Sequence, residues 1–122
     1  MLRNLVVCIA FLASGPLYAE DLALIIGNEN YTNAADIPAA GDVVEAADAL
    51  TGVGFTTLSG SDLSAGEMRR LAARYYADLN SADRTIILLS GHFAQAENEI
   101  WFLSTDVKKP NLPWADSSGL SL

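Results

Sequence analysis

The run Thr85-Ile86-Ile87-Leu88-Leu89-Ser90-Gly91-His92 constrains this chain most, because its apolar stretch stops abruptly at a polar turn. A short aliphatic run bounded by turn residues predicts a strand buried on both faces, as in a parallel sheet. In open parallel sheets, ligands and chemistry collect just beyond the carboxyl ends of the strands. His92 is placed there, and it is the only histidine in the chain. Imidazole is the side chain suited to trading protons near neutral pH. A lone histidine is more often structural or merely exposed; the strand-end position strengthens the catalytic alternative for His92 without displacing that reading.

The first 19 residues have the layout of a secretory signal peptide. Met1-Leu2-Arg3-Asn4 is a short basic start, Leu5 to Ala13 is apolar, Ser14-Gly15-Pro16 breaks the run, and Leu17-Tyr18-Ala19 offers small-residue cleavage chemistry. The apolar run is short for a bilayer span, so the expectation is an exported protein, periplasmic or secreted, with no membrane attachment after cleavage. Residues 20–122 then form one small domain. Without Arg3 that domain holds 6 basic and 15 acidic residues, a net charge of −9. Such a balance gives no electrostatic footprint for nucleic acid or anionic membrane. Cys8, inside the leader, is the only cysteine, so disulfides and thiolate chemistry have no residue within 20–122.

Leu22-Ala23-Leu24-Ile25-Ile26 predicts a second buried strand, and Asn28 to Ala40 reads as a loop. Val43, Val44, Ala47 and Leu50 share one helical face between Gly41 and Leu50. Phe55-Thr56-Thr57-Leu58 is a short β-rich run, and Ser64 with Glu67 forms the reciprocal capping-box pattern at a helix start. Met68, Leu71, Ala72, Tyr75 and Leu79 then follow at helical spacing. Beyond His92, Ala94 to Glu99 is a polar turn and Ile100-Trp101-Phe102-Leu103 another strand. Leu112 to Leu122 is rich in Pro, Ser and Gly and offers no clear element. The alternation predicts an α/β fold, a mostly parallel sheet with flanking helices and right-handed crossovers.

Gly27-Asn28-Glu29-Asn30 follows a strand but lacks the spaced glycines of a phosphate loop, so no nucleotide cofactor is expected. One histidine and no spaced acidic loop give no metal site. Gly-x-Ser-x-Gly is absent, and Ser90 lies too near His92 in the chain to be paired with it as a nucleophile. Asp42 and Asp106 are placed to reach the same sheet edge, though acids in such positions commonly cap helices or face solvent.

Leu24-Ile25-Ile26-Gly27-Asn28-Glu29-Asn30-Tyr31 with Ile37-Pro38-Ala39-Ala40-Gly41-Asp42, Val53-Gly54-Phe55, Leu89-Ser90-Gly91-His92 and Trp101-Phe102-Leu103-Ser104-Thr105-Asp106 occur in that order. Together they resemble the large-subunit region of caspase-like cysteine peptidases, over residues 22 to 106. The resemblance implies a caspase–haemoglobinase fold of flavodoxin-like order. It also implies a histidine and a cysteine at neighbouring strand ends that cleave peptides. By motif match His92 is the acid–base residue, and Gly91 and Phe93 flank it at the oxyanion cleft. A peptide or protein is the implied substrate or ligand.

Three departures accompany the resemblance. The nucleophilic cysteine of the family lies on a later core strand. The reading is therefore of a domain cut off before that strand, either a piece of a longer product or a catalytically incomplete homologue acting as a binding module. Such a cut would leave a sheet edge unpaired and open to self-association. Phe93 stands where the family pattern has glycine; a positive φ there would make a bulky residue cost about 1–2 kcal/mol. No Lys or Arg occurs between Arg3 and Arg69, while Glu29, Asp36 and Asp42 make the first loop acidic. Glu29 and Asp42 are accordingly candidates for a substrate pocket that favours basic P1 side chains.

Overall fold

A computed structural model describes residues 20–122; the leader reading of residues 1–19 lies outside them. Three strands form a parallel sheet in the order β2-β1-β3: β1 is Glu20–Gly27, β2 is Phe55–Ser61 and β3 is Ala82–Ser90. The α/β reading and its parallel sheet hold. β1 is the centre, and its residues from Leu22 through Gly27 are all buried. Period-two alternation splits them between two cores. Leu22, Leu24 and Ile26 meet Leu58, Met68 and Tyr75 on one face. Ala23 and Ile25 meet Phe55, Val43, Val44, Ala47 and Leu50 on the other. Each fully buried Leu or Ile contributes about 1.5–3 kcal/mol, so this strand anchors the domain.

The helices fall where crossover handedness puts them. The chain steps outward from β1 to β2, then reverses past β1 to β3, so crossovers of one hand must lie on opposite faces. The first crossover holds a 3₁₀ helix, Ala40–Glu45, followed by α1, Ala46–Gly52. The single helix expected over Gly41–Leu50 is thus split. Gly27 explains part of the break, since a Cβ there would lie 2.4 Å from the carbonyl oxygen of Ala40 and 2.9 Å from Val43. The 3₁₀ segment passes directly over the end of β1. The second crossover is α2, Ala65–Leu79, opened by Ser64 and Glu67 in the expected capping box. Its buried face is Met68, Ala72 and Tyr75, and Tyr75 hydrogen-bonds Thr85 on β3.

Past β3 the chain builds a small antiparallel sheet, β4 Phe93–Gln95, β5 Ile100–Leu103 and β6 Gly119–Ser121, in that order. A short helix, α3 (Leu112–Ser118), precedes β6. Both corrections here concern segments read as turn or featureless: Ala94 and Gln95, at the start of the expected turn Ala94–Glu99, belong to β4, and Leu112–Leu122 contains a helix and a strand. The composition of that last stretch is locally loop-like. Ala115, packed with Leu103 and Val107, and the pairing of Gly119 with Leu103 order it from outside.

A third correction concerns β3. The sequence predicts burial on both faces, but among the described residues β3 is an edge strand: Ile87 is 48% exposed, and no residue of the strand is fully buried. An apolar run has the same pattern whether or not a neighbour covers it.

Candidate active site

Strand order reverses between β1 and β3, and the crevice at their carboxyl ends is the place where α/β sheets bind ligands. Gly27 ends β1 and Ser90 ends β3; the two are register partners. The loop that leaves β1 and the turn that leaves β3 are joined at once, because the Asn28 N–H donates to the carbonyl of Ser90 at 2.8 Å. Asn28 is fully buried. Its side-chain oxygen accepts from the Leu63 N–H at 2.9 Å, and its amide nitrogen donates to the Leu103 carbonyl at 3.1 Å. One amide therefore ties β1, the lead-in to α2 and β5 together.

Gly91 and His92 follow β3. A Cβ on Gly91 would lie 2.6 Å from the Tyr31 hydroxyl, 3.0 Å from Phe102 and 3.2 Å from the Asn28 carbonyl. Glycine is what lets the turn close against Tyr31. The Tyr31 hydroxyl accepts from the His92 backbone N–H at 2.9 Å and donates to the Leu103 carbonyl at 3.0 Å. Its ring stands edge-on to the imidazole, with centroids 4.5 Å apart. Burial pushes the Tyr31 hydroxyl above its usual titration range, so it stays protonated and keeps both bonds.

The imidazole Nε2 lies 2.7 Å from the carbonyl oxygen of Ala35. A carbonyl can only accept, so Nε2 carries the hydrogen and Nδ1 is the nitrogen that takes and returns a proton. The loop that presents Ala35 is clamped at several points. Asp62 accepts from the backbone N–H of Glu29 and Asn30 at 2.8 and 3.0 Å, and from the Asn30 side chain at 2.8 Å. Those donors, the Asn30 N–H first, hold the Asp62 carboxyl below the usual carboxylate range. Asp62 sits at φ 52°, a left-handed conformation that Asp tolerates better than most residues. Asp36 accepts from the Tyr31 N–H at 3.1 Å, and Thr32 N–H donates to Thr105 at 2.9 Å.

The other predicted site residues fall as follows. Phe93 begins β4; among the described residues only Ala39 and Asp62 are non-glycines with positive φ, so Phe93 is not strained in that way. Its ring packs on Phe102 at 5.1 Å and is 43% exposed. With Ala94, Gln95, Pro110, Leu112 and Pro113 it lines a groove of about 460 Å³ beside the histidine turn. The Glu29 carboxylate is engaged, accepting from the Gly41 N–H at 3.2 Å. Asp42 is exposed in the first turn of the 3₁₀ helix. Asp106 caps α2 by accepting from the Ala65 N–H at 3.1 Å. Among the described residues no cluster of three or more His, Cys, Asp and Glu is placed to hold a metal, and no helix is long and apolar enough to cross a membrane. Sequence reading missed Asn28, Tyr31, Ala35 and Asp62. An asparagine directly after a buried strand and a tyrosine within a polar loop were the only local signs.

A family model for the caspase domain matches residues 20–109. The chain belongs to the caspase-domain family. The match spans β1 through the connection after β5, so it includes the Tyr31–His92–Ala35 arrangement and every strand of the parallel sheet. Membership makes its role peptidase-related. A search of curated proteins finds no match to the chain.

Proposed function

We propose that residues 20–122 are the histidine-bearing part of a caspase-type cysteine endopeptidase. The bond from His92 Nε2 to the Ala35 carbonyl carries this reading. With that hydrogen fixed, Nδ1 accepts the thiol proton, the thiolate attacks the scissile carbonyl, and the ring returns the proton to the departing amine. No thiol occurs among residues 20–122. In this reading a thiol-bearing strand aligns beside the free edge of β3, where the histidine turn emerges. Of the acids Glu29, Asp36 and Asp42, only Asp42 has no hydrogen-bond partner for its carboxylate among the described residues. It is therefore the acid most open to a basic P1 side chain. The protein works outside the cytoplasm, in the periplasm or medium; a mature N-terminus at Glu20 in exported material supports that placement, and an intact Met1 there overturns it.

The test compares the 122-residue chain with the product of its gene read onward in frame. The chain alone should cleave no Arg-, Lys- or Asp-directed peptide. A thiol-containing product should cleave basic-P1 peptides and lose about 10²–10⁴-fold in rate with His92→Ala. Cleavage unaffected by His92→Ala overturns the proposal. Absence of a thiol beside β3 would leave a second reading, a non-catalytic binding module, which the Phe93-lined groove favours.

A further inference from the structure

We propose that the pocket between α2 and the outer edge of β2 takes an acidic peptide segment. The segment adds as an extra strand beside β2, with a Glu or Asp carboxylate between Arg70 and Arg74. The pocket has a volume of about 310 Å³ and is lined by Ser59, Leu63, Glu67, Arg70, Leu71 and Arg74. It shares no residue with the His92 arrangement, so this inference is independent of the peptidase reading.

Two separate observations converge there. The first is charge. Lys and Arg total 7 against 15 acids in the chain, yet two arginines one helical turn apart face this one cavity. The other described arginines are occupied. Arg69 donates to the carbonyls of Asp116 and Ser117, and Arg84 pairs with Asp21, the one ion pair among the described residues. Glu67 attracts Arg70 electrostatically but forms no ion pair with it among the described residues, and its carboxylate is held by the Ser64 N–H at 2.9 Å in the capping box. The second observation is the strand edge. Among the described residues β2 pairs only with β1, leaving the backbone groups along its other side without a strand partner.

An open edge recruits an extended peptide through main-chain bonds, and pockets beside it select alternate side chains. Leu63 and Leu71 give the pocket an apolar wall, and the guanidinium groups of Arg70 and Arg74 select carboxylate. A net charge of −8 repels acidic peptides from the rest of the surface, so binding there reports the local site.

The test titrates the ¹⁵N-labelled whole chain with acetylated, amidated Leu-Glu-Val-Glu-Leu, with the Gln counterpart, and with glutarate. Saturable shifts are expected in the amides of Phe55–Ser61. Affinity should fall about fivefold or more with the Gln peptide and with Arg70→Ala/Arg74→Ala, the upper range for exposed ion pairs. Both arginines are exposed on the helix, and Arg74→Gln alone should shift affinity in the same direction. Four outcomes overturn the proposal: no saturation, equal affinity for the Gln peptide, shifts confined to β3, or glutarate binding as tightly as the peptide.

Discussion

The contact between Gly91 and Tyr31 decides whether the histidine turn can close at all. The Tyr31 hydroxyl serves a backbone donor and a backbone acceptor at once. Tyr31→Phe leaves the His92 N–H without its acceptor, while the Leu103 carbonyl keeps the Asn28 amide as donor, and should cost about 1–3 kcal/mol of stability. Gly91→Ala forces a methyl group to 2.6 Å from the same hydroxyl, and overpacking of that kind costs about 1–3 kcal/mol. Because both changes act on one atom, they should not add. In the Tyr31→Phe background the alanine meets a smaller neighbour, so the double variant should be more stable than the sum predicts by about 0.5–3 kcal/mol. Urea unfolding of the four proteins measures the coupling. Strict additivity would place the Gly91 requirement elsewhere, in Phe102 or the Asn28 carbonyl. At this scale the sequence showed the histidine and its strand end but not its support. Tyr31 lies 61 residues from His92 along the chain, and nothing local in a loop tyrosine announces a partner that distant.

At the scale of elements, legibility depended on whether a segment's neighbours are implied by its own pattern. The central strand β1 was readable because its aliphatic run is buried on both faces, as the run implies. The start of α2 was readable because the capping box is a local circuit between Ser64 and Glu67. β3 carries the same kind of run, yet it lies at an edge with Ile87 exposed. Long, apolar, unpaired edges template association. We expect the 122-residue chain to self-associate through β3, with Ile87→Lys shifting it toward monomer in sedimentation experiments. Since copies of this chain carry a net charge of −8, salt should strengthen the association by screening repulsion. A monomer insensitive to salt, or association unchanged by Ile87→Lys, would remove β3 from that role.

For the whole molecule, the protonation equilibria sort by sign into two limbs of stability. Asp21, Asp62 and Glu67 all titrate lower in the folded protein than their ordinary values of 3.8, 3.8 and 4.5. The causes are the Arg84 side chain, the Asn30 N–H and the Ser64 N–H respectively. Lowered carboxyls stabilise the fold above their unfolded values, and that contribution is lost as pH falls through the folded ones. Tyr31 is raised by burial from its ordinary 10.0, so its contribution is present below that value and is lost as pH rises beyond it. The thermal midpoint should therefore be flat near neutrality, fall below about pH 4.5 and fall again above about pH 10. The acid limb has a spatial order as well. Glu67 is exposed, and Asp21 is half-buried but paired with an exposed Arg84, so the loss of either costs little, whereas Asp62 holds the backbone of Glu29 and Asn30 at the root of the loop that presents the Ala35 carbonyl. Acid should thus open that loop locally before the sheet unfolds. Amide exchange at Glu29 and Asn30 should rise as pH drops below about 4, relative to the exchange expected for unstructured peptide, while the β1 core stays protected. Asp62→Gly removes all of these acceptors while tolerating the left-handed backbone and should produce the open loop at neutral pH. Exchange at Glu29 and Asn30 that rises only together with β1 would show instead that the loop and the sheet melt as one unit.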